Sequence, residues 1–124
     1  MLQIEDLSVS YGDLQALVNV SIRVAEGSLV AIVGANGAGK STLFKAISGV
    51  VPAKSGRIVF DGTDLSQLRT PAQRALLGIA HVPEGRQVFA SLTVRENLEM
   101  GAQNPRLGSF FPKPWSRSTP CFRA

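Results

Sequence analysis

Two stretches near the N-terminus have the apolar pattern of β-strands, and in the second of them apolar and polar residues alternate strictly, which is typical of a strand with one buried face. The first stretch contains Leu2, Ile4, Leu7 and Val9, and it ends near Tyr11-Gly12. The second contains Val18, Val20, Ile22 and Val24. The pattern therefore predicts two early strands, the second of them half-buried through its valines and isoleucine.

Residues 28–50 contain two different apolar patterns, separated by a glycine-rich turn. Residues 28–33 are almost wholly apolar, as in a parallel strand buried on both faces. After residue 40 the apolar side chains recur at near-helical spacing, at Leu43, Phe44, Ile47 and Val50. Gly49 is a typical helix terminator. The sequence thus predicts a buried strand, a glycine-rich turn and a helix in direct succession.

The glycine-rich turn matches the phosphate-binding pattern G-x-x-x-x-G-K-S/T. Its residues are Gly34, Ala35, Asn36, Gly37, Ala38, Gly39, Lys40, Ser41 and Thr42. Glycines allow the backbone N–H groups to converge on an anion. The lysine can reach the β- and γ-phosphates of a nucleotide, the Ser41 hydroxyl can bind Mg²⁺, and the helix N-terminus favours phosphate. The bland alternative is a glycine turn joining a strand to a helix, but the flanking pattern favours the phosphate site.

Turn and cap signals divide the remaining chain. We predict a loop at residues 52–56 and a strand at residues 57–60 that ends at the turn Asp61-Gly62. We predict another strand at residues 79–82, which Pro83 ends. Thr70-Pro71 predicts the start of a helix that runs through Leu77 to Gly78. Thr93 and Glu96 form a capping box, which opens a helix containing Leu98 and Met100 before Gly101.

Composition excludes several classes of protein. The chain has 124 residues, 44% of them hydrophobic, but no apolar run long enough to span a membrane. The early acids argue against a secretory signal, and the single cysteine, Cys121, suits a reducing cytosol. Residues 1–102 carry nine basic and nine acidic side chains, so the net charge of +4 comes from the last 22 residues. The neutral body gives no ground for nucleic-acid binding.

The last part of the chain, residues 103–124, differs from the rest. It holds four of the seven prolines, four of the eight aromatic residues and no acidic residue, without any periodic pattern. We expect a disordered or frameshifted tail here. The alternative is a basic and aromatic anchor for a membrane surface or nucleic acid, but the prolines prevent a helix with one apolar face.

Four stretches together resemble a known family: Tyr11-Gly12, and residues 34–43, 55–62 and 82–97. They are similar to the N-terminal part of an ABC transporter ATP-binding subunit, and the last stretch is most similar to subunits that power branched-chain amino-acid import. The resemblance implies an α/β P-loop NTPase fold, an ABC-type nucleotide-binding domain that is truncated and carries an N-terminal antiparallel β subdomain. Residues 1–102 would form this partial domain.

The resemblance also assigns roles. Tyr11 matches the aromatic residue that stacks on adenine; the alternative is a strand-end tyrosine half in the core. Glu84 occupies the Q-loop position, where most members carry glutamine. The resemblance implies that it is a catalytic residue, which would lie near Mg²⁺ and the attacking water and respond to both. Its alternative is an exposed turn residue beside Gly85. With the P-loop, these residues imply ATP and Mg²⁺ as ligands.

Two other residues invite a functional role that we do not favour. His81 cannot be the family's switch histidine, which occurs much later in the domain, and we expect a strand residue. Asp61 ends an apolar run that resembles a Walker B strand, but Gly62 follows instead of glutamate. Because Asp-Gly is a turn signal, we predict a turn there.

The sequence contains no LSGGQ-like signature, no apolar run ending in Asp-Glu and no late histidine. Phosphoryl transfer to water needs these positioning groups as well as a phosphate cradle. Three hypotheses remain. The chain is the ATP-binding part of an importer subunit, working at the cytoplasmic face of the plasma membrane with integral-membrane permease subunits and a second ATP-binding subunit. Alternatively it is a remnant without hydrolysis or assembly. A P-loop kinase or GTPase is disfavoured, because no acceptor-binding or base-reading elements are recognisable.

Overall fold

The computed structural model describes residues 1–85 and 87–101. The chain divides into two units. The first comprises Met1–Ala75 and Ile79–His81, and the second comprises Leu76–Gly78 and the described residues from Val82 onward. The first unit contains a β-sheet and the glycine-rich loop, and the second contains the last helix. The predicted tail, residues 103–124, lies outside the described residues.

One antiparallel sheet forms the framework of the first unit. Its strands are β1 (Leu2–Tyr11), β2 (Leu14–Val24), β3 (Ser55–Phe60) and β4 (Thr63–Asp64). They are arranged in the order β2-β1-β3-β4, and each pairs antiparallel with its neighbours. Asp61 and Gly62 both have positive φ, 49° and 79°, and they form the tight turn between β3 and β4. The predicted antiparallel subdomain and the predicted Asp-Gly turn are confirmed.

Two residues with positive φ interrupt the pairing of β1 with β2. Asp6 and Asn19 both have φ of 48°, and the register shifts between the paired residues on either side of them. The Asn19 N–H donates to Ser8 Oγ at 3.0 Å, which satisfies a donor that the ladder loses at the bulge. An extra residue reverses the side-chain alternation, so Leu17 is buried and Val18 is exposed. The prediction that Val18 belongs to the buried face was therefore wrong.

The helices follow the signals in the sequence. They are α1 (Lys40–Ser48), α2 (Pro71–Leu76) and α3 (Val94–Gly101), with a single 3-10 turn at Leu65–Gln67. Helix α1 is terminated by its C-cap, Gly49, which adopts φ of 80° and donates its N–H to the Ala46 carbonyl. Phe44, which we placed with the apolar face of α1, is exposed, whereas Leu43 and Ala46 are buried.

Capping boxes open the other two helices. The Thr70 N–H donates to Gln73 Oε1 at 3.1 Å, and the Gln73 N–H donates back to Thr70 Oγ1 at 3.3 Å. In the second unit, the Thr93 N–H and hydroxyl donate to Glu96 Oε2 at 2.8 and 2.7 Å. Each pair satisfies N–H groups that a helix start leaves without partners. Both predicted helix starts are confirmed.

The core of the first unit lies between β1 and the elements that cover it. Its buried hydrophobic residues are Ile4, Leu7, Val9, Leu17, Leu43, Ala46, Ile58 and Leu65. Three of these belong to the central strand β1, and two belong to α1. The helix that follows the glycine-rich loop is therefore packed on the same core as the sheet.

Two predicted strands do not form. Residues 28–33 have no strand partner among the described residues, and the side chains of Leu29 and Val33 are 97% and 94% exposed. A buried parallel strand needs neighbours on both sides, and the described part of the chain supplies none. Residues 79–82 also form no strand, although the Ile79 N–H donates to the Arg74 carbonyl. Among the described residues, no helix is both long and apolar enough to cross a bilayer.

Candidate functional site

The glycine-rich loop connects the irregular segment 28–33 to α1. Gly37 and Gly39 both have φ of 85°, a conformation that side-chain-bearing residues rarely adopt. The loop is closed by a hydrogen bond of 3.2 Å from the Ala38 N–H to the Ala35 carbonyl. Gly34 differs, because its φ is not positive and a Cβ there would only touch Ala38 Cβ at 3.4 Å. Two of the three loop glycines are thus required by backbone conformation.

Lys40 is the first residue of α1, and its side chain folds back over the loop. Its Nζ donates to the carbonyl oxygens of Gly34 at 2.6 Å and Ala35 at 2.7 Å. An ammonium group has three N–H donors, so two of them hold the lysine to the start of the loop. The positive charge is thereby fixed beside the glycine-rich backbone, where an anionic phosphate would need it.

The start of α1 supplies the second element of an anion site. Gly39 is its N-cap and provides no side-chain hydrogen bond to the first turn, which also contains no acidic residue. The first N–H groups of a helix have no partner inside the helix, and the helix dipole makes this end positive. Ser41 is exposed in this turn, and Thr42 is half-buried. The predicted P-loop residues thus lie in one continuous loop and helix start, and their role in phosphate binding stays a prediction.

Gly39 is also where the loop meets the sheet. A Cβ at this position would lie 2.6 Å from Leu17 Cδ2 and 2.8 Å from the Ala16 carbonyl oxygen. Leu17 is buried and pairs with Val9 of β1. The sequence did not single out Leu17, because the bulge that turns it inward has no signature in the hydrophobic pattern.

A sequence model described as ABC transporter matches residues 17–119 of this chain. The chain belongs to the ABC transporter family. Its loop, helix and sheet are therefore those of an ATP-binding cassette, and the predicted P-loop NTPase fold is confirmed.

Similar proteins with known names support this assignment. The high-affinity branched-chain amino acid transport ATP-binding protein BraG of Pseudomonas aeruginosa is 48% identical over 102 residues, covering 82% of this chain and 43% of BraG. The probable branched-chain amino acid transport ATP-binding protein LivF of Archaeoglobus fulgidus is 41% identical, with the same coverage of both chains. The ribose import ATP-binding protein RbsA of Cereibacter sphaeroides is 40% identical over 73% of this chain and 18% of its own length.

Solved structures give the same result. The chain matches a nucleotide-free ATP-binding cassette from an ABC transporter with a TM-score of 0.74 and 37% identity, covering 93% of this chain and 46% of that one. It matches a dimeric bacterial ABC transporter cassette with a TM-score of 0.73 and 26% identity, covering 82% and 46%. The chain thus spans less than half the length of the branched-chain relatives and cassettes that it matches.

Tyr11, the residue that the ABC resemblance assigns to adenine, ends β1. Tyr11 is 43% exposed, which fits both the adenine role and the alternative of a strand-end tyrosine half in the core, so its role stays a prediction. It lies two residues beyond Val9, the partner of Leu17, which corresponds to about 7 Å along a strand. Because Leu17 contacts Gly39, Tyr11 stands at the end of the sheet that meets the P-loop.

Glu84, the Q-loop candidate, belongs to the second unit. It is exposed in a bend that precedes Gly85, whose φ is 89°. The role of Glu84 stays a prediction.

In the same unit, the Asn97 side chain holds the segment before α3 by two hydrogen bonds to Phe89. Its Oδ1 accepts from the Phe89 N–H at 2.9 Å, and its Nδ2 donates to the Phe89 carbonyl at 3.1 Å.

His81 and Asp61 behave as ordinary structural residues. His81 Nδ1 lies 3.2 Å from Ser48 Oγ at the end of α1, and the residue belongs to no strand. Asp61 lies in the turn after β3, with one carboxylate oxygen 3.8 Å from the N-terminal ammonium. Neither of these contacts suggests a role in phosphate chemistry.

Metal binding would depend on the nucleotide itself. Among residues 1–85 and 87–101, no group of three or more His, Cys, Asp or Glu side chains could hold a metal ion. Mg²⁺ commonly keeps several waters and binds through one or two protein oxygens together with substrate phosphates. An exposed Ser41 beside the loop fits that mode, whereas a metal site made entirely of protein groups is not present in the described part of the chain.

Proposed function

We propose that this chain binds Mg·ATP through residues 34–42 as the ATP-binding portion of an ABC importer subunit. The observation that carries the proposal is the position of Lys40 Nζ, held by the Gly34 and Ala35 carbonyls over a loop with two glycines of positive φ. Two features support the proposal: a cation held at the start of the loop, and a helix N-terminus that directly follows the loop and favours phosphate.

The residues of the cradle have separate roles. The N–H groups of the loop and of the first turn of α1 bind phosphate oxygens, and Lys40 neutralises the charge of the β- and γ-phosphates. Ser41 provides a hydroxyl ligand for Mg²⁺, which neutralises phosphate charge when bound. Tyr11 stacks on adenine, and Glu84 acts beside the metal and the attacking water; these two roles rest on the family resemblance.

The proposed cargo is a branched-chain amino acid. Two of the matched relatives carry that substrate class in their names, at 48% and 41% identity. A ribose importer subunit reaches 40% identity, so these identities support the importer family more strongly than they support one particular cargo. Co-expression with branched-chain permease subunits and measurement of labelled leucine and ribose uptake distinguishes the two cargoes.

The proposed partners are integral-membrane permease subunits and a second ATP-binding subunit, at the cytoplasmic face of the plasma membrane. A matched cassette with 26% identity was solved as a dimer, which supports the second partner. Co-purification of a tagged chain with permease subunits tests this assembly. Nucleic acid is not among the proposed partners.

A second candidate function is a remnant that holds nucleotide without hydrolysing it or assembling. It is favoured by residues 28–33, the segment that leads into the loop, which have no strand partner among the described residues and expose Leu29 and Val33. We also propose that residues 103–124 are a dispensable tail, so that deleting them leaves ATP affinity unchanged.

Titration of the full chain with a fluorescent ATP analogue, with and without Mg²⁺, tests the binding proposal. Saturable binding that competes with ATP supports it, and no binding refutes it. Co-purification with permease subunits, followed by a phosphate-release assay on the co-purified sample, then separates the two candidates. Assembly with turnover that depends on Lys40 identifies a working subunit, whereas ATP binding with neither assembly nor turnover identifies the remnant.

A further inference from the structure

Arg74 is a buried cation that no motif in the sequence identifies. It lies in α2 with a relative exposure of 9%, and four of its five N–H groups are directed at backbone carbonyls. Nη1 donates to Ala46 at 2.6 Å and Ile47 at 2.9 Å, Nη2 to Leu65 at 3.1 Å, and Nε to Leu68 at 3.3 Å. Within the part of the chain that the structure describes, no carboxylate pairs with this guanidinium.

Two of these carbonyls belong to the last turn of α1. The final carbonyls of a helix lack partners inside it and form the negative end of the helix dipole. The Arg74 guanidinium supplies both hydrogen bonds and a compensating positive charge there. Burial lowers the pKa of Arg74 from its ordinary value, so the carbonyls offset a real cost of removing the cation from water.

Gly49 packs closely against the Arg74 side chain. It is the C-cap of α1, and a Cβ on it would lie 2.9 Å from Arg74 Nε and 3.0 Å from Arg74 Cδ. The other two carbonyls belong to the 3-10 turn and the residue after it. Arg74 therefore joins the end of α1, the connection after β4 and α2 at one point.

We infer that Arg74 is a positioning residue for the P-loop, acting through α1; this inference rests on the proposed ATP-binding function. Helix α1 has nine residues, so it is about 13 Å long. At its first residue it carries Lys40, and Gly39 packs there against Leu17. At its last turn Arg74 holds the carbonyls of Ala46 and Ile47. The two ends together set the direction of the helix and hence the position of the phosphate cradle.

The test compares Arg74→Met, Arg74→Lys and two control variants of the full chain. Methionine keeps the stem but removes every hydrogen bond, and lysine keeps the charge but not the planar fork. Arg69→Met removes an exposed arginine from the preceding segment. Ile58→Ala weakens the core in β3 without removing any contact to the α1 carbonyls. Binding of the fluorescent ATP analogue is measured well below each unfolding midpoint.

We expect Arg74→Met to raise the Kd for the ATP analogue about tenfold, the equivalent of one charge-assisted contact, and Arg74→Lys to raise it less. Arg69→Met and Ile58→Ala should bind like the wild type once folded, although Ile58→Ala unfolds earlier. Wild-type affinity in folded Arg74→Met overturns the inference. If Arg74→Met does not fold, Arg74→Lys decides in the same way.

Amide hydrogen exchange separates this inference from the function on which it rests. The N–H groups of Gly49 and Val50 are bonded to the Ala46 and Lys45 carbonyls, so they report on the end of α1. If the wild type binds no ATP analogue, the proposed function fails, but faster exchange at these amides in Arg74→Lys still shows that Arg74 holds the helix end. Unchanged exchange there overturns the inference whatever the affinities are.

Discussion

Gly39 of the P-loop lies directly against Leu17 of β2, with no room for a side chain between them. The Cβ position of Gly39 is 2.6 Å from Leu17 Cδ2 and 2.8 Å from the Ala16 carbonyl oxygen. The glycine-rich loop is therefore packed directly on the antiparallel sheet.

The same contact predicts that two glycines with identical φ respond differently to alanine. Gly37→Ala meets no atom within 4 Å and should cost only the backbone strain, about 1–2 kcal/mol of unfolding free energy. Gly39→Ala adds a clash with the sheet and should cost roughly 1–3 kcal/mol more. Urea unfolding of both variants checks this. In a double-mutant cycle, Gly39→Ala should cost less in a Leu17→Ala background than in the wild type, because the contact with Cδ2 is gone. Equal losses for the two single glycine variants would contradict the close packing.

Lys40 should carry much of the nucleotide affinity. Lys40→Ala removes a cation that faces the phosphates, and losing a charge-assisted contact costs roughly 1.5–3 kcal/mol, about a 10- to 150-fold rise in Kd. Lys45→Ala is the matched control, because Lys45 is an exposed lysine in the last turn of the same helix. Titration with a fluorescent ATP analogue measures both. Equal affinities of the wild type and Lys40→Ala for the ATP analogue would contradict the proposed role of this loop in phosphate binding.

Residues 28–33 should exchange their amide hydrogens quickly. They have no strand partner among the described residues and expose apolar side chains, and unpaired backbone of this kind recruits other chains. The amides of Leu7 and Val9, in the central strand, should exchange far more slowly and provide the internal reference. Hydrogen exchange followed by mass spectrometry measures both regions. Slow exchange at 28–33 in a monomer would mean that another element pairs with this segment.

Helix α3 should lose its N-terminal cap in acid. Hydrogen bonds from the Thr93 backbone N–H and then its hydroxyl lower the pKa of Glu96. A carboxylate whose folded pKa is depressed stabilises the fold above its unfolded pKa of about 4.3, and that contribution disappears as the pH falls through the folded value.

Amide chemical shifts of Val94–Gly101 should therefore move toward coil values as the pH falls below the unfolded pKa of about 4.3 and on through the lower folded pKa of Glu96. In Glu96→Gln this acid-dependent movement should be absent, since glutamine fits a capping box without titrating. An unchanged pH profile in Glu96→Gln would show that another group controls the helix start.

Local features of this chain could be predicted from the sequence because the partners are close together in it. The capping boxes join residues three apart, the Asp61-Gly62 turn is formed by its own backbone, and two of the three loop glycines, Gly37 and Gly39, adopt positive φ. The sequence likewise predicted β1, β2, α1 and the ABC family, whose motifs are contiguous.

The tertiary structure decided whatever depends on distant partners. The apolar pattern of 28–33 states a preference for burial, but a strand forms only where another strand pairs with it, and the described residues supply none. The bulge at Asn19 turns Leu17 toward Gly39, and a hydrogen bond from eleven residues away, at Ser8, helps to hold it. Arg74 is an ordinary helix-surface residue in the sequence, and only folding brings the carbonyls of Ala46 and Ile47, nearly thirty positions earlier, around its guanidinium.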